Sequence, residues 1–470
     1  MFRSLRLYNF RIWFFGALVS NIGQWMQSTA QSWVVLTVLT DGDATAMGFT
    51  LALQFAPPLV LVGVTGWVAD RFDRRKLLFI TQSALGVVAL VIGVLLITGV
   101  LTLPLMLVLA TVTGIVTAFD NPARQAFISD LVEREHASNA IALNAASFNS
   151  ARLVGPAVAG VLVVAVGGGW VFIINALSFF ATIVALLLIH VAELSPQAKA
   201  DRGAKLADGF RYLVKRPDLA ILFAMVFIIG AFGMNFPIYA STMALEFGMD
   251  ADGFGLLTSM FAVGSLAGAL LAARRAKARL RVVVVAALGF GVASLVSSFM
   301  PTYAGYAVVI VFAGFSLVTF LTTANGYVQT TTAPSLRGRV MALYIAILMG
   351  GTPIGAPIVG WIAESFGARA AIVVAAIAGF VGAAIGLTWY LSSGRVQRAR
   401  GSRWGFEVAA TRSIPVQRIV EPEEFSDEVA ESTPIGELDE ITEDELPNAG
   451  GRPTDEGTEG PAGPDRRGPA

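Results

Sequence analysis

Twelve apolar runs, each about as long as a helix needs to cross a hydrocarbon core, limit what this 470-residue chain can fold into. They occupy residues 12–38, 47–69, 77–98, 103–119, 140–166, 170–189, 219–240, 254–273, 282–299, 303–328, 340–362 and 370–391. The runs are continuous rather than alternating, so they read as helices and not as barrel strands. A soluble domain carries roughly 25% charged residues. Here 14% are charged and 55% apolar, more oil than a soluble fold of this length can enclose. The expected fold is all-α and integral to a membrane. The first run is long and rich in glutamine, so it reads as a span rather than a cleaved signal peptide.

Orientation follows from the basic residues, which stay on the cytoplasmic side of a bilayer. Placing the N-terminus inside gives 22 Lys and Arg in the inner segments and one, Arg369, outside. Both termini are therefore expected to be cytoplasmic, in a multi-pass protein of the cell (inner) membrane. The longest internal polar stretch, 191–218, divides the spans six and six. The halves echo each other at an offset of about 200: Arg74-Arg75-Lys76 falls opposite Arg275-Ala276-Lys277, and Gly155-Pro156 opposite Ala356-Pro357. Two six-helix bundles related by an axis along the membrane normal form a transporter architecture, with a site between them near the midplane. The expected domains are a first bundle over 1–190, a linker over 191–218, a second bundle over 219–391 and a tail over 392–470.

Several chemistries drop out. Cysteine is absent, which removes thiolate nucleophiles and cysteine metal sites. Only His136 and His190 are present, too few for histidine zinc chemistry. No Gly-x-x-x-x-Gly-Lys loop exists to cradle ATP phosphates. No enzyme activity, cofactor or metal is expected. The basic residues are scattered through short loops, so nucleic-acid binding has no support. Residues 1–391 hold 24 basic against 16 acidic residues and 392–470 hold 9 against 17, so the zero net charge hides an acidic tail. That tail opens with Arg395, Arg398, Arg400 and Arg403, which suit an anionic lipid surface, and continues acidic and rich in Gly and Pro, a composition that predicts disorder.

The segment Gly66-Trp67-Val68-Ala69-Asp70-Arg71-Phe72-Asp73-Arg74-Arg75-Lys76 resembles the Gly-x-x-x-Asp-Arg-x-Gly-Arg-Arg signature of the major facilitator superfamily. Asp120-Asn121-Pro122-Ala123-Arg124-Gln125-Ala126, Asp130-Leu131-Val132, and the span-five run from Arg152 through Gly155, Pro156 and Gly160 are similar to the branch of that superfamily holding the enterobactin exporter and macrolide or multidrug efflux proteins. The resemblance covers about residues 5–391. Asp73 departs from it, standing where the signature has glycine. The second-half copy, from Gly268 to Arg274, lacks the acid altogether, with Ala272 at its place.

The resemblance implies a latch of Gly66, Asp70, Arg71, Arg74, Arg75, Asp120 and Arg124. In it Asp70 docks against the start of span eleven, and Arg74 pairs with an acid at the end of span four, here read as Asp120. A charge at a span boundary needs a partner, and helix N-termini attract carboxylates. The competing reading is that the 70–76 cluster only fixes topology.

Span one carries Asn21, Gln24, Gln27, Ser28 and Gln31 within an arc of roughly 120°. A polar stripe does not face lipid cheaply, so it lines a substrate pathway or bonds to neighbouring helices. Arg152 is the one charge well inside a span; it either meets an anionic substrate group or pairs with an acid such as Asp120. Gly155, Pro156 and Gly160 in span five, and Gly351, Pro353, Gly355, Pro357 and Gly360 in span eleven, allow bending or close packing. Pro57-Pro58 reads as a kink.

The expected function is secondary active export of amphipathic small molecules, such as a siderophore, a macrolide-like antibiotic or a drug, by alternating access. The expected partners are the substrate, protons and the bilayer, with the chain a monomer. Asp120 is the leading titratable candidate for coupling. The alternatives are a lipid or nutrient transporter of the same fold, or a transport-inactive membrane sensor.

Overall fold

A computed structural model describes residues 3–194, 206–275, 278–333, 336–392, 396–398 and 406–408. The disorder expected of the acidic tail concerns residues that lie outside this set, apart from two short strands. Residues 1–410 form one compact unit.

Fifteen α-helices account for nearly all of it. They are α1 Tyr8–Val34, α2 Ala44–Val60, α3 Val62–Arg71, α4 Arg74–Ile97, α5 Leu103–Asp130, α6 Arg134–Val166, α7 Gly168–Leu188, α8 Leu206–Val214, α9 Pro217–Gly233, α10 Phe236–Glu246, α11 Ala251–Ala273, α12 Leu280–Ser298, α13 Tyr303–Thr331, α14 Arg337–Phe366 and α15 Ala368–Ser392. The strands Val396–Arg398 and Phe406–Val408 pair antiparallel.

Among the described residues, ten helices are long and apolar enough to cross a membrane, α9 and α10 counting as one. The pair α2 and α3 forms an eleventh, bent by 58°. The twelfth span, α1, has 27 residues, about 40 Å of helix. It stands outside the strongly apolar set because of its amide stripe.

Local signals place the ends. Asp43 caps α2 by accepting the Ala46 N–H at 2.8 Å, and Thr302 caps α13 through Gly305. Gly167 (φ 89°) and Gly367 (φ 91°) make the turns α6–α7 and α14–α15, a left-handed conformation that glycine reaches without a Cβ penalty. These turns sit 200 residues apart, at equivalent points of the two halves.

The packing repeats in the same way. In the first half α1 lies against α6 and α7, α2 against α5, and α4 against α5 and α7. In the second half α9 lies against α14 and α15, α11 against α13, and α12 against α13 and α15. Across the halves α2 meets α14 and α6 meets α11, each contact being the other's pseudo-symmetric image. The protein therefore has two pseudo-symmetric six-helix bundles.

Two spans are broken, each for a local reason. In α2, Pro57 and Pro58 lack the N–H groups that would continue the ladder, and the chain turns at Leu61. Between α9 and α10 the break falls at Met234–Asn235, just before Pro237. The freed carbonyls there find side chains: Asn235 Nδ2 donates to the Ala231 oxygen at 2.5 Å, and the Tyr239 hydroxyl donates to Phe232. A membrane interior requires such substitution because no water is present to bond them.

Candidate functional site

The contacts between the bundles concentrate at the face where α2 and α11 begin. A Cβ at Gly160 would sit 2.7 Å from the Ala251 carbonyl oxygen, and one at Gly255 would sit 2.5 Å from that of Pro156. Gly48 against Ala356 and Gly360 against Ala44 are closer still. Four glycines thus let four backbones touch across the two interfaces, the small-residue packing that drives helix association in lipid. Thr45 donates a hydrogen bond to the Glu364 carboxylate beside this contact, tying α2 to α14. Arg369, the sole basic residue among those described at this face, pairs with Glu246 at 2.5 Å and donates to the Ser298 and Met300 carbonyls at 2.9 and 3.0 Å.

Pro156, Gly160 and Pro357 therefore stand at the interface between halves. Gly155 and Gly355 pack inward instead, on α1 (Trp25, Ile22) and on α9 (Ala231). Pro353 lies in α14, one turn before Pro357.

At the opposite, basic face the arrangement differs. The short helix α3 packs chiefly on α5 of its own half. Trp67 and Phe72 are exposed, and no described atom outside its own helix lies within 4 Å of a Cβ position at Gly66 or, at the start of α14, Gly338.

This face holds the predicted latch residues. Arg71 lies over the Trp67 ring at 5.6 Å. Asp73, where the signature has glycine, caps α4 by accepting the Lys76 N–H at 3.1 Å. Arg75 Nε donates to the Leu186 carbonyl at 2.7 Å and so ties α4 to the end of α7. Asp70 lies in the last turn of α3, and its predicted docking to span eleven concerns a side chain outside the described set.

The pairing expected between Arg74 and Asp120 is corrected. Arg74 Nη1 donates to both oxygens of Asp130 at 2.7 Å. Helix α5 continues well beyond the apolar run 103–119 and brings Asp130 to the start of α4. Asp120 lies deeper, 2% exposed, and has its own partners. It accepts from Thr81 and Gln82 at 2.7 Å each and pairs with Arg124 at 3.0 Å, an i,i+4 pair on α5. Arg124 also lies over the Trp13 ring at 5.8 Å.

The stripe on α1 divides in two. Gln31 donates to Gln54 of α2 at 3.1 Å, and Gln27 accepts from Asn175 of α7. These two residues bond between helices. Asn21 and Gln24 hydrogen-bond to no described protein atom. At about 100° per residue, Gly16 and Gly23 mark the side facing α7, while Ile22, Trp25 and Met26 mark the side facing Gly155 of α6. Asn21 and Gln24 fall in the gap between those sides, opposite the exposed Phe15 and Val19. Arg152 is half-buried with its guanidinium 5.5 Å above the Trp25 ring.

Sequence reasoning did not assign Asp130, Gln54, Asn175, Thr81, Gln82 or the Thr45–Glu364 tie. Asp130 was visible in the motif but lay beyond the end of the apolar run. Gln54, Thr81, Gln82 and Asn175 are polar groups within apolar runs, a signal that marks a need for partners without identifying them, and Thr45 and Glu364 lie in the short segments between runs.

The second half carries a different charge pair. Arg216 and Asp218 meet at 2.8 Å, and Tyr327 of α13 donates to the same carboxylate at 3.0 Å. The hydrogen bond to Asp218 holds the Arg216 pKa above the usual guanidinium value.

Comparison with known proteins agrees with this architecture. A family model described as transmembrane secretion effector matches residues 1–410. The chain is similar to the staphyloferrin A transporter of Staphylococcus aureus, 25% identical over 355 residues, covering 74% of this chain and 87% of that one. It is similar to the enterobactin exporter EntS of Salmonella typhimurium, 25% identical, covering 75% and 85%. It is also similar to the multidrug efflux pump Tap of Mycolicibacterium fortuitum, 28% identical, covering 76% and 89%. Its fold matches the crystal structure of a bacterial homolog of the lysosomal transporter Spinster, inward-facing and unoccupied, with TM-score 0.65 at 14% identity over 81% of this chain and 97% of that one. It likewise matches a D-xylose-proton symporter with TM-score 0.64 at 13% identity, covering 79% and 96%.

Proposed function

The chain belongs to the transmembrane secretion effector family of the major facilitator superfamily, and from that premise we propose that it exports amphipathic small molecules by alternating access, driven by protons. It is a multi-pass membrane transporter and not an enzyme. On our reading the substrates are of the siderophore, macrolide or drug type, as the names of the similar siderophore and multidrug transporters suggest. The basic face is cytoplasmic, the membrane is the inner one, and the chain acts as a monomer.

The observation that carries the reading is the one-sided closure. The halves touch backbone to backbone where α2 and α11 begin, while α3 at the other end stays with its own half. Rocking about the middle would exchange the two faces. Gly155, Pro156, Gly160, Pro353, Gly355 and Pro357 supply the bending and close packing that this movement uses. Asp70 and the Arg74–Asp130 pair act as the basic-face latch. Asp120, buried beside Thr81, Gln82 and Arg124, is the proposed proton site.

Accumulation of a labelled compound panel tests this in cells with and without the protein. Expression should lower accumulation of at least one amphipathic compound, and a protonophore should abolish the difference. Accumulation that rises on expression contradicts export; export that persists under the protonophore contradicts proton coupling.

A further inference from the structure

Arg152 lies in α6 about 27 Å from one end of the helix and about 21 Å from the other. An arginine at such depth is costly unless it is paired. The nearest explanation, an ion pair with Asp120, does not hold, because Asp120 is engaged by Arg124, Thr81 and Gln82. Asp130 is taken by Arg74. Among the described residues no carboxylate pairs with Arg152, and none of its N–H groups donates to a protein oxygen.

What stands beside it is an aromatic wall. The guanidinium lies 5.5 Å above Trp25, and Trp25 meets Phe148 edge-on at 5.6 Å. Asn21, one turn before Trp25 on α1, and Gln24 offer free amide groups on the side of α1 opposite the exposed Phe15 and Val19. A guanidinium over a ring keeps its N–H fork for an anion, and charge-assisted bonds to carboxylate-like groups are the strong ones.

We propose that Arg152, backed by Trp25 and flanked by Asn21 and Gln24, receives the anionic group of the transported amphiphile. The substrate class is an aromatic or apolar body bearing a carboxylate, sulfonate or phenolate. This assignment rests on the export reading and narrows it.

Two dyes with the same aromatic body test it: anilinonaphthalene sulfonate, which is anionic, and N-phenylnaphthylamine, which is neutral. Binding to the full chain in phosphatidylcholine nanodiscs is read by energy transfer from tryptophan, with empty discs as blank. The wild-type protein should bind the anionic dye about tenfold more tightly, the factor that a charge-assisted bond of about 1.5 kcal/mol supplies. Arg152→Gln should bring the ratio close to one while neutral-dye binding holds, and Arg152→Lys should keep most of the preference. A tenfold preference that survives Arg152→Gln overturns the assignment, as does equal binding by the wild type; either leaves the export reading standing. Loss of neutral-dye binding in both variants would make Arg152 structural and also overturns it. A wild-type protein that binds neither dye removes the assignment and weighs against amphiphile export as well.

Discussion

Span two and span eight hold the same place in the two halves, yet only one is broken. In the first half Pro57-Pro58 bends the chain by 58° into α3, which ends on Asp70-Arg71 beside the Arg74–Asp130 pair. In the second half α11 runs unbroken from Ala251 to Ala273, contains no proline, and ends without an acid. At the other face the two halves are almost interchangeable: Gly48 and Gly255 meet the partner half in the same way, as do Gly160 and Gly360. Backbone packing is thus symmetric where the halves touch, and electrostatics are asymmetric where they part. A symmetric contact can close one face with both halves contributing alike, whereas a one-sided charge cluster can bias which face is closed.

The largest break in that comparison should come from the asymmetric side. Arg74→Ala or Asp130→Asn breaks a largely buried ion pair, at a cost of up to about 3 kcal/mol, and should cut efflux at least tenfold while membrane levels persist. Arg74→Asp combined with Asp130→Arg should recover part of the activity, and Arg74→Asp combined with Asp120→Arg should not. Efflux assays alongside membrane immunoblots check this; rescue only by the Asp120 swap would refute the pairing.

The symmetric side predicts matched effects. Gly160→Val and Gly360→Val each force a side chain into a facing backbone, at about 1–3 kcal/mol. They should slow efflux several-fold and to a similar degree. A severe loss in one with none in the other would show that the two interfaces do not share the closure.

Smaller effects sharpen the contrast. Asp73→Ala removes the α4 cap, worth about 1 kcal/mol, and should lower thermal stability while leaving efflux within about twofold. Ala272→Ser, at the point of α11 equivalent to Asp70, should change neither. A strong efflux defect there would place a second latch in the second half.

The number of spans was legible because a bilayer imposes one length on every apolar run. The ends were less so. Hydropathy stops at the membrane boundary while the helix continues, so α5 reaches Asp130 and the acid that meets Arg74 lay outside the predicted span. The Asp120–Arg124 pair follows directly from i,i+4 spacing on one helix. The kink at Pro57-Pro58 was legible from the prolines themselves, whereas the break before Pro237 was hidden inside an apolar run. The α1 stripe pointed to a substrate pathway, but Gln27 and Gln31 instead bond Asn175 and Gln54 between helices, pairings that depend on how distant helices pack. The Thr45–Glu364 tie, 319 residues apart, has no local signature at all.

On the proposed mechanism, the face closed by these glycines must open in every transport cycle. Thr45 and Glu364 touch across it, and the chain has no native cysteine. The double variant Thr45→Cys with Glu364→Cys, carrying an oxidant-formed disulfide, should stop efflux, and reduction should restore it. Oxidised, fully cross-linked protein that transports as fast as the reduced form would contradict the claim.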